Sequence, residues 1–371
     1  MSKVGYWALV GVTLVILASC VCSAGCTPQG QSYSVFGLGS VLQVVDYARN
    51  AELEAYCRTL VAEVQRAVNV TDDASDVARF NAAADEETVP VSALTYDIMT
   101  KAREAYDLTQ GLYDPTVYWL VDLWGFLPRK EGATAPYDRA KTEDGALPLP
   151  DERYVAAFRQ LTDMRKIEQI HTEGTDDYAL VKHGTATTVE GVTYYARVDL
   201  GGIAKGYVVD RIRDYCRAHG VDKGYMSFGA SSLLLLKNRK GAAWDLSLTH
   251  PRGTETNPTY CTLPAMDLTA STSGDYQNYY MVDGVRYSHL VNPTTGRPAN
   301  GDLLSVTVLS PNACMGDALS TALTVGGLDR LKAFATGEYA KVNGIRVVAV
   351  YRTDDGLAVY STADDLSVHL E

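Results

Sequence analysis

The second half of the chain is a series of short strand-like segments separated by turn residues. These segments are Tyr178–Lys182, Thr193–Val198, Gly224–Phe228, Leu233–Lys237, Trp244–Thr249, Met266–Ala270 and Leu304–Leu309. Three segments with helical spacing of apolar residues interrupt them, and these are Ala204–His219, Ala313–Val325 and Leu328–Ala335. Strands that follow one another directly, with helices grouped between them, predict an α+β fold. We therefore expect mixed or antiparallel sheets with flanking helices rather than a doubly wound parallel sheet.

The first half of the chain predicts one strand followed mainly by helices. The run Val35–Tyr47 has strand character and contains Gly37 and Gly39. Helical spacing predicts helices at Asn50–Val68, at Ser92–Leu108 with Ser92 as the N-cap, and at Glu152–Leu161. Residues 128–150 are rich in Gly, Pro, Asp and Thr, which predicts a surface loop.

The charge of the chain argues against nucleic acid as a partner. The 371 residues include 33 Lys and Arg against 45 Asp and Glu, so the formal net charge is −12. An acidic chain without a basic stripe repels phosphate backbones. The apolar fraction of 46% is typical of a globular protein with a sizeable core.

The N-terminus predicts a lipoprotein signal peptide at residues 1–19. Lys3 is followed by an apolar run too short for a comfortable membrane span, and Leu17-Ala18-Ser19-Cys20 resembles a lipobox. Cys20 would become the lipidated mature N-terminus, with Cys22 and Cys26 as alternatives, and residues 20–34 would form a tether. We therefore expect an extracytoplasmic lipoprotein, anchored in the membrane at the cell surface or on the periplasmic side of the inner membrane.

A glycine pair lies at a predicted junction between a strand and a helix, in the sequence Asp199-Leu-Gly-Gly-Ile-Ala-Lys-Gly206. Glycines allow a ligand to approach the backbone closely, and a helix N-terminus offers free N–H groups to an anion. Asp199 and Lys205 add one charge of each sign beside this bend. A packing turn with solvated charges is an equally good interpretation of this motif alone.

Two further segments carry candidate chemistry. His289 precedes a turn rich in Pro and Gly, where it could transfer a proton or serve only a structural role. Asp317 and Thr321 are spaced one helical turn apart, so their oxygens project from one helix face. Such hard oxygen donors suit Mg²⁺, although a capping Asp beside a helix-face Thr is the more common meaning of an isolated pair.

Taken together and in order, five blocks of this chain resemble the FAD:protein FMN transferases, the ApbE family. The blocks are Ser75 to Asn81, Gly111-Leu-Tyr-Asp-Pro-Thr116 with Leu-Trp-Gly-Phe126, Asp199 to Gly206, Thr272-Ser-Gly-Asp-Tyr276 with His289 to Gly296, and Asp317-Ala-Leu-Ser-Thr-Ala322. The resemblance extends from about Gly37 to Leu331, which is nearly all of the expected mature chain.

The resemblance implies a fold and an activity. The fold would occupy residues 35–371 and have two lobes, about 35–175 and 176–371, with the active site between them. The enzyme would bind FAD as a substrate together with Mg²⁺. It would transfer FMN through a phosphoester to a Ser or Thr of an exported acceptor flavoprotein and release AMP.

The resemblance also implies roles for individual residues. Asp317 and Thr321 match the metal ligands of the family, with the backbone carbonyl of Gly202 as a third ligand. The positions that match FAD contacts are Leu38, Asn81, Leu112, Tyr113, Asp114, Asp199, Lys205, Leu290 and Val291. His289 matches the histidine near the reacting phosphate, so it is the candidate for proton transfer, with Asp275 as the rival.

Four positions depart from the family pattern. Asn292 replaces a usual Asp, Ala230 replaces the second glycine of a pair, Thr71 stands where members often have an aromatic residue, and Leu38 stands where many have Met. The changes at Thr71, Ala230 and Asn292 keep open the alternative of a flavin-binding lipoprotein without catalysis. Hydrolysis of FAD to FMN and AMP is a further alternative, because the same site would serve both reactions.

Overall fold

The computed structural model describes residues 30–129 and 149–370. The predicted signal peptide, the three candidate lipidation cysteines and most of the predicted loop at 128–150 lie outside these residues. Within the described ranges, no helix is long and apolar enough to cross a membrane. Cys57, Cys216, Cys261 and Cys314 are buried free thiols.

Strands and helices occur mostly in separate runs along the described chain, with ten consecutive strands between α6 and α7. The helices are α1 (Leu53–Val68), α2 (Asp76–Ala82), α3 (Ala93–Leu108), α4 (Tyr118–Leu123), α5 (Glu152–Arg159), α6 (Gly201–Ala218), α7 (Ala313–Gly326), α8 (Leu328–Ala335) and α9 (Glu338–Val342). The strands are β1 (Gln31–Gly37), β2 (Ser40–Asp46), β3 (Val89–Val91), β4 (Ile167–His171), β5 (Tyr178–Lys182), β6 (Thr187–Val189), β7 (Val192–Tyr194), β8 (Gly224–Phe228), β9 (Ser232–Leu235), β10 (Trp244–Thr249), β11 (Thr259–Ala265), β12 (Leu268–Gly274), β13 (Tyr279–Val282), β14 (Val285–Ser288), β15 (Val291–Asn292), β16 (Arg297–Pro298), β17 (Leu303–Ser310), β18 (Arg346–Thr353), β19 (Gly356–Ser361) and β20 (Ser367–Val368).

An eight-stranded sheet forms the centre of the fold. Its strand order is β1-β2-β8-β9-β12-β17-β18-β19. Every neighbouring pair in it is antiparallel. The prediction of an α+β fold with antiparallel sheets and flanking helices is therefore confirmed.

Both faces of this sheet are covered. Helices α1, α6 and α7 pack on one face, and the small sheet β10-β11-β20 packs on the other through Leu246, Leu248 and Leu263. All eight residues of β17 are buried, as expected for a central strand between two layers. A second small sheet, β3-β5-β4, packs against the N-terminal helices. The division into two lobes near residue 175 stays a prediction.

Helices α6 and α7 approach each other closely because residue 206 is glycine. A Cβ atom at Gly206 would lie 2.2 Å from the carbonyl oxygen of Ala313 and 2.8 Å from Cα of Cys314. The carboxylate of Asp210 on α6 accepts the N–H groups of Ala313 and Cys314, both at 2.8 Å. These contacts fix the start of α7 against the first turns of α6.

The predicted strand Val35–Tyr47 is wrong in one respect, because the structure has a hairpin there. Strands β1 and β2 are joined by Leu38 and Gly39, which both have positive φ, at 50° and 66°. A two-residue turn of this kind matches the twist of a hairpin and favours glycine. Leu38 occupies the left-handed region without that freedom, which is the reason the turn was not evident from the sequence.

Candidate active site

A cleft of about 670 Å³ lies where the first turns of α6 meet the hairpins and loops around it. Its lining comes from both predicted lobes, from residues 38–128 and from residues 199–321. The apolar lining residues are Leu38, Val68, Val70, Leu112, Val121, Phe126, Leu127, Pro128, Leu290 and Val291. The polar lining residues include Asp199, Lys205, Ser273, His289, Asp317 and Thr321. The cleft thus has room and chemistry for a ligand with an apolar and an anionic part.

Asp199 and Lys205 lie at the N-terminus of α6. The N–H of Gly201 donates to Oδ1 of Asp199 at 2.9 Å, and Nζ of Lys205 donates to the carbonyl of Gly201 at 3.3 Å. Burial raises the pKa of Asp199, while the Gly201 N–H and the charge of Lys205 oppose that rise. The bend therefore presents a carboxylate, an ammonium group and a helix N-terminus at one side of the cleft.

Asp317 reaches the cleft from the second turn of α7, so it does not cap that helix. The side chain of Asn312 is the cap, and it accepts the N–H of Met315. Oδ1 of Asp317 accepts the hydroxyl of Ser232 at 2.6 Å, and Oδ2 accepts the N–H of Gly206 at 2.7 Å. Burial raises the pKa of Asp317, and Lys205, Ser232, Ser271 and Gly206 act against that rise.

The bond from Gly206 to Asp317 changes the hydrogen bonding of the α6 backbone. In a regular helix the N–H of Gly206 would donate to the carbonyl oxygen of Gly202, four residues earlier. Here it donates at 2.7 Å to the carboxylate, so it is at most shared with Gly202. Gly202 lines the cleft together with Asp317 and Thr321. The three predicted metal ligands therefore line the same cleft.

Thr321 follows Asp317 by one turn of α7. Its hydroxyl lies 3.2 Å from that of Ser273, which is also 2.8 Å from the hydroxyl of Ser320. Ser232 and Ser271 are register partners on β9 and β12, and the hydroxyl of Ser232 donates to Asp317. No sequence motif indicated a role for these serines. Hydroxyl residues at alternate positions of a buried strand, such as Ser271 and Ser273, are the signal that could have identified them.

Tyr113 has a buried hydroxyl group without a hydrogen-bond partner in the described part of the chain. The side chain is 4% exposed, and its ring lies 3.3 Å from the position that a Cβ atom of Gly202 would take. Burial raises its pKa well above the usual value, and Asp199, Asp317 and Asp114 contribute in the same direction. A buried donor of this kind is costly unless a ligand satisfies it.

Asp114 holds the loop that follows Tyr113. Its Oδ1 accepts the N–H and the hydroxyl of Thr116, at 2.9 and 2.6 Å. Burial raises the pKa of Asp114 to about 6 in spite of these bonds. The residue lines the cleft, where its carboxylate could also accept a donor from a ligand.

His289 lines the cleft next to Phe126. The centroids of the two rings are 6.4 Å apart. Its backbone N–H donates to the carbonyl oxygen of Asn278 at 3.0 Å, and Nδ1 lies 3.2 Å from the same oxygen. Since a carbonyl only accepts, Nδ1 carries the proton and Nε2 has a lone pair. Burial lowers the pKa of His289 to about 4 against the opposing bond with Asn278, and the charge of Lys205 lowers it further.

Asp275, the rival for proton transfer, is not among the residues that line the cleft. It forms two hydrogen bonds with the guanidinium of Arg252, at 2.8 and 2.5 Å, and Arg352 lies 3.8 Å away. Both oxygens of Asp275 are thus engaged by Arg252, and the side chain lies outside the cleft lining. The geometry therefore favours His289 over Asp275 as the proton acceptor.

Asn81 also lies outside the cleft lining. Its amide group donates to the carbonyl of Val198 at 2.9 Å and accepts the N–H of the same residue at 2.8 Å. It thus fixes the backbone immediately before Asp199. In this structure Asn81 acts on the site through the backbone, and a direct contact with FAD stays a prediction.

Leu38, Leu112, Leu290 and Val291 all lie on the cleft wall. The backbone N–H of Leu38 donates to the side chain of Gln65 at 2.9 Å, and the carbonyl of Leu290 accepts the N–H of Ala299 at 2.7 Å. Of the fourteen residues predicted for the site, twelve line this one cleft, and only Asn81 and Asp275 do not.

Known proteins resemble this chain over most of its length. The ApbE family model matches residues 37–345. A relative from Vibrio cholerae named FAD:protein FMN transferase is 32% identical over 359 residues, which cover 94% of this chain and 96% of the relative. A relative of the same name from Treponema pallidum is 29% identical over 340 residues, which cover 88% of this chain and 86% of the relative.

The fold agrees with a solved structure of the same kind. The structure described as flavin transferase ApbE from Vibrio cholerae superposes with a TM-score of 0.71 at 29% sequence identity, and covers 90% of this chain and 97% of that one. The names of the relatives confirm the prediction of a transferase. By its sequence blocks, its antiparallel core and these matches, this chain belongs to the ApbE family.

Proposed function

We propose that this protein transfers FMN from FAD to a Ser or Thr hydroxyl of an exported acceptor protein and releases AMP. The observation that carries the proposal is the cleft, where a neutral imidazole, a lysine and a buried carboxylate lie around one ligand-sized space. The names of the relatives support the flavin substrate and the protein acceptor.

The proposed reaction is a displacement at phosphorus. The oxygen of the acceptor hydroxyl forms a bond to the phosphorus on the FMN side of the pyrophosphate. The bond from that phosphorus to the bridging oxygen breaks, and AMP leaves with the bridging oxygen and its electron pair. The hydroxyl proton passes to Nε2 of His289. The reaction needs positioning and charge neutralisation at the phosphate oxygens more than any covalent participation by the protein.

Residues of the cleft can supply those needs. The ammonium group of Lys205 and the N-terminus of α6 attract the diphosphate. The apolar lining residues accommodate the flavin ring and exclude water from it. The hydroxyl of Tyr113, which lacks a partner in the described structure, is a donor available to the ligand. His289 is neutral at physiological pH because its pKa is about 4, so it can accept a proton.

The donor set at Asp317 fits a magnesium ion. Asp317, Thr321 and the carbonyl of Gly202 offer hard oxygen atoms. Because the N–H of Gly206 donates to Asp317, the carbonyl oxygen of Gly202 is available to the ion. No group of three or more His, Cys, Asp or Glu side chains suited to a metal occurs among the described residues. A single carboxylate is typical of magnesium that completes its shell with water and substrate phosphate. When bound, the ion would neutralise charge on the phosphate oxygens.

The N-terminal sequence supports an exported, lipid-anchored protein. Strand β1 begins at Gln31, eleven residues after Cys20, so the tether could extend at most about 40 Å from the membrane. Full-length protein should incorporate labelled fatty acid in bacterial cells, and Cys20→Ala should abolish this, whereas the matched Cys22→Ala should not. Labelling that depends on Cys22 alone would contradict the proposed anchor site.

The transfer is tested by incubating the mature chain with FAD, Mg²⁺ and an extract of exported proteins. We expect a protein band that stays fluorescent after denaturation, and we expect Asp317→Ala to lose it. AMP is measured with and without the extract, because release without acceptor indicates hydrolysis. FAD binding with neither AMP release nor a fluorescent band would show a flavin-binding protein without catalysis and would overturn the proposal.

A further inference from the structure

The β13–β14 hairpin adjoins the cleft at both of its ends. Gln277 and Asn278, which immediately precede β13, line the cleft, and β14 leads directly into His289. Asn278 accepts the backbone N–H of His289 at 3.0 Å, which ties the two ends together. A molecule lying on this hairpin would therefore be next to the candidate base.

Stacked aromatic rings hold the inner face of the hairpin in place. Trp124 stacks on Tyr287 at 5.4 Å between ring centroids, Tyr287 on Tyr280 at 5.6 Å, and Tyr280 on Phe126 at 5.5 Å. Trp124 also donates to the carbonyl of Gly296 at 2.8 Å. These stacks pack the inner face of the hairpin against Trp124 and Phe126.

The outer face of the hairpin exposes apolar side chains beside a cation. Tyr279 and Met281 are 42% and 46% exposed, and Met281 is paired in register with Arg286. The guanidinium of Arg286 lies 3.7 Å from the centroid of the Tyr279 ring. The two strands form a sheet of their own, and neither outer edge pairs with another strand in the described ranges. Open edges and exposed apolar residues are features of surfaces that bind extended peptides.

Arginines give this region an excess of positive charge. Arg252 and Arg352 lie at 2.5 Å and 3.8 Å from Asp275, and Arg286 donates to its backbone carbonyl at 3.4 Å. Two arginines thus face the carboxylate of Asp275 and a third contacts its backbone carbonyl, although the whole chain has a net charge of −12. A local positive patch on an acidic protein favours an acidic partner.

We propose that the acceptor protein docks on this outer hairpin face, defined by Tyr279, Met281 and Arg286, through an extended acidic segment that carries the reacting hydroxyl. The proposal rests on the transferase function and names the chemistry of its protein substrate. Arg286 precedes His289 by three residues, or about 10 Å of extended chain. An acidic residue of the acceptor at Arg286 would therefore be a few residues from the hydroxyl at His289.

Synthetic peptides of equal length, each with one central Thr flanked by Glu, Gln or Lys, are the probes. Their binding to the FAD-loaded protein is measured by fluorescence anisotropy, and FMN transfer to them by mass spectrometry. We expect the Glu peptide to bind at least about tenfold more tightly than the Lys peptide, a difference of about 1.4 kcal/mol. Equal binding of all three, or no binding of the Glu peptide, would overturn the proposal.

Three variants assign any preference to the hairpin. Arg286→Glu should abolish or reverse the charge preference, Met281→Asp should weaken binding of every peptide, and Val368→Asp should change nothing. Val368 is the matched control, because it is an apolar residue 52% exposed on the separate strand β20. A Glu preference that survives in Arg286→Glu would contradict the docking site.

The outcome is separable from that of the transferase proposal. FAD binding, measured by flavin fluorescence, should be unchanged in all three variants, since none of these residues lines the cleft. Unchanged FAD binding with unchanged peptide preference would refute the docking site alone. Absence of both AMP release and FMN transfer in the wild type would refute the transferase, while anisotropy would still report on the hairpin.

Discussion

His289 is held as a neutral imidazole by its position in the cleft. Burial accounts for most of its low pKa, and the bond to Asn278 selects the tautomer with the lone pair on Nε2. A general base must be unprotonated at the working pH, which this environment provides.

Replacement of His289 by Ala should lower kcat for FMN transfer by about 10²–10⁴ while FAD affinity changes little. In the wild type, kcat should be constant above about pH 5 and fall as the pH approaches 4, where the imidazole gains a proton. Stopped assays of covalent flavin across this pH range, together with flavin fluorescence titrations, provide both readouts. Asp275→Asn is the matched comparison, and a larger loss in it than in His289→Ala would identify Asp275 as the base.

Ala230 carries backbone strain in the turn between β8 and β9. Its φ is 56°, in the left-handed region that favours glycine, and the residue is exposed. Ala230→Gly should therefore increase the free energy of unfolding by about 1 kcal/mol, as measured by urea denaturation. Ala243→Gly at an ordinary backbone position is the control and should not stabilise the protein. A destabilised Ala230→Gly would show that the turn is not strained.

The location of single residues in the cleft was predictable from the sequence where a local motif contains them. Asp199, Lys205 and Asp317 belong to this class, and all three line the cleft. Asn81 bonds to Val198, more than a hundred residues away in sequence, and Asp275 pairs with Arg252. Contacts of this kind depend on tertiary packing, which no local spacing reveals.

At the scale of elements, the pair α6 and α7 builds the polar half of the cleft. Gly206 allows the two helices to approach, and its N–H bonds to Asp317. In return, Asp210 on α6 accepts two N–H groups at the start of α7. Each helix thus provides a carboxylate that accepts backbone N–H groups of the other helix.

Gly206→Ala should destabilise the protein by on the order of 3 kcal/mol, because the added methyl group would overlap backbone atoms of α7. It should also displace Asp317 and reduce FMN transfer. Gly301→Ala is the matched control, since a Cβ atom at Gly301 would have open space and should cost little. Thermal unfolding and the transfer assay measure both effects, and a Gly206→Ala protein as stable as the control would contradict this packing.

Elements with strong periodicity were predicted well, and those defined by turns were not. The predicted helix Leu328–Ala335 has the observed bounds, and Ser92 caps α3 as expected. The β1–β2 hairpin was missed because Leu38 takes a conformation unusual for its type. The hairpin β13–β14 was missed because its aromatic residues face a partner, Trp124, that is distant in sequence.

At the scale of the whole molecule, the cleft contains carboxylates whose burial disfavours their charge. The pKa of Asp114 is about 6 in the folded protein, against 3.8 for a free side chain. Between these values the folded state binds more protons than the unfolded state, so this group's contribution to stability falls as the pH rises from about 4 to 6.

Asp114→Asn cannot titrate, so it should lose this dependence. Relative to the wild type, its free energy of unfolding should increase by on the order of 2 kcal/mol between pH 4 and pH 7. Urea denaturation at both pH values measures the difference in free energy of unfolding between the two proteins. The hydrogen bonds lost in the variant shift that difference equally at both pH values. A difference that is constant with pH would show that Asp114 has an ordinary pKa.

The proposed transfer requires that Asp317 act with magnesium at the diphosphate of FAD. The most direct measurement is covalent flavin on acceptor protein as Mg²⁺ is titrated, with wild type, Asp317→Asn and the exposed control Asp329→Asn assayed side by side. We expect transfer that depends on Mg²⁺ in the wild type and the control, and a loss of at least about 100-fold in Asp317→Asn. Transfer by Asp317→Asn at the wild-type rate, or wild-type transfer in the presence of a chelator, would contradict it.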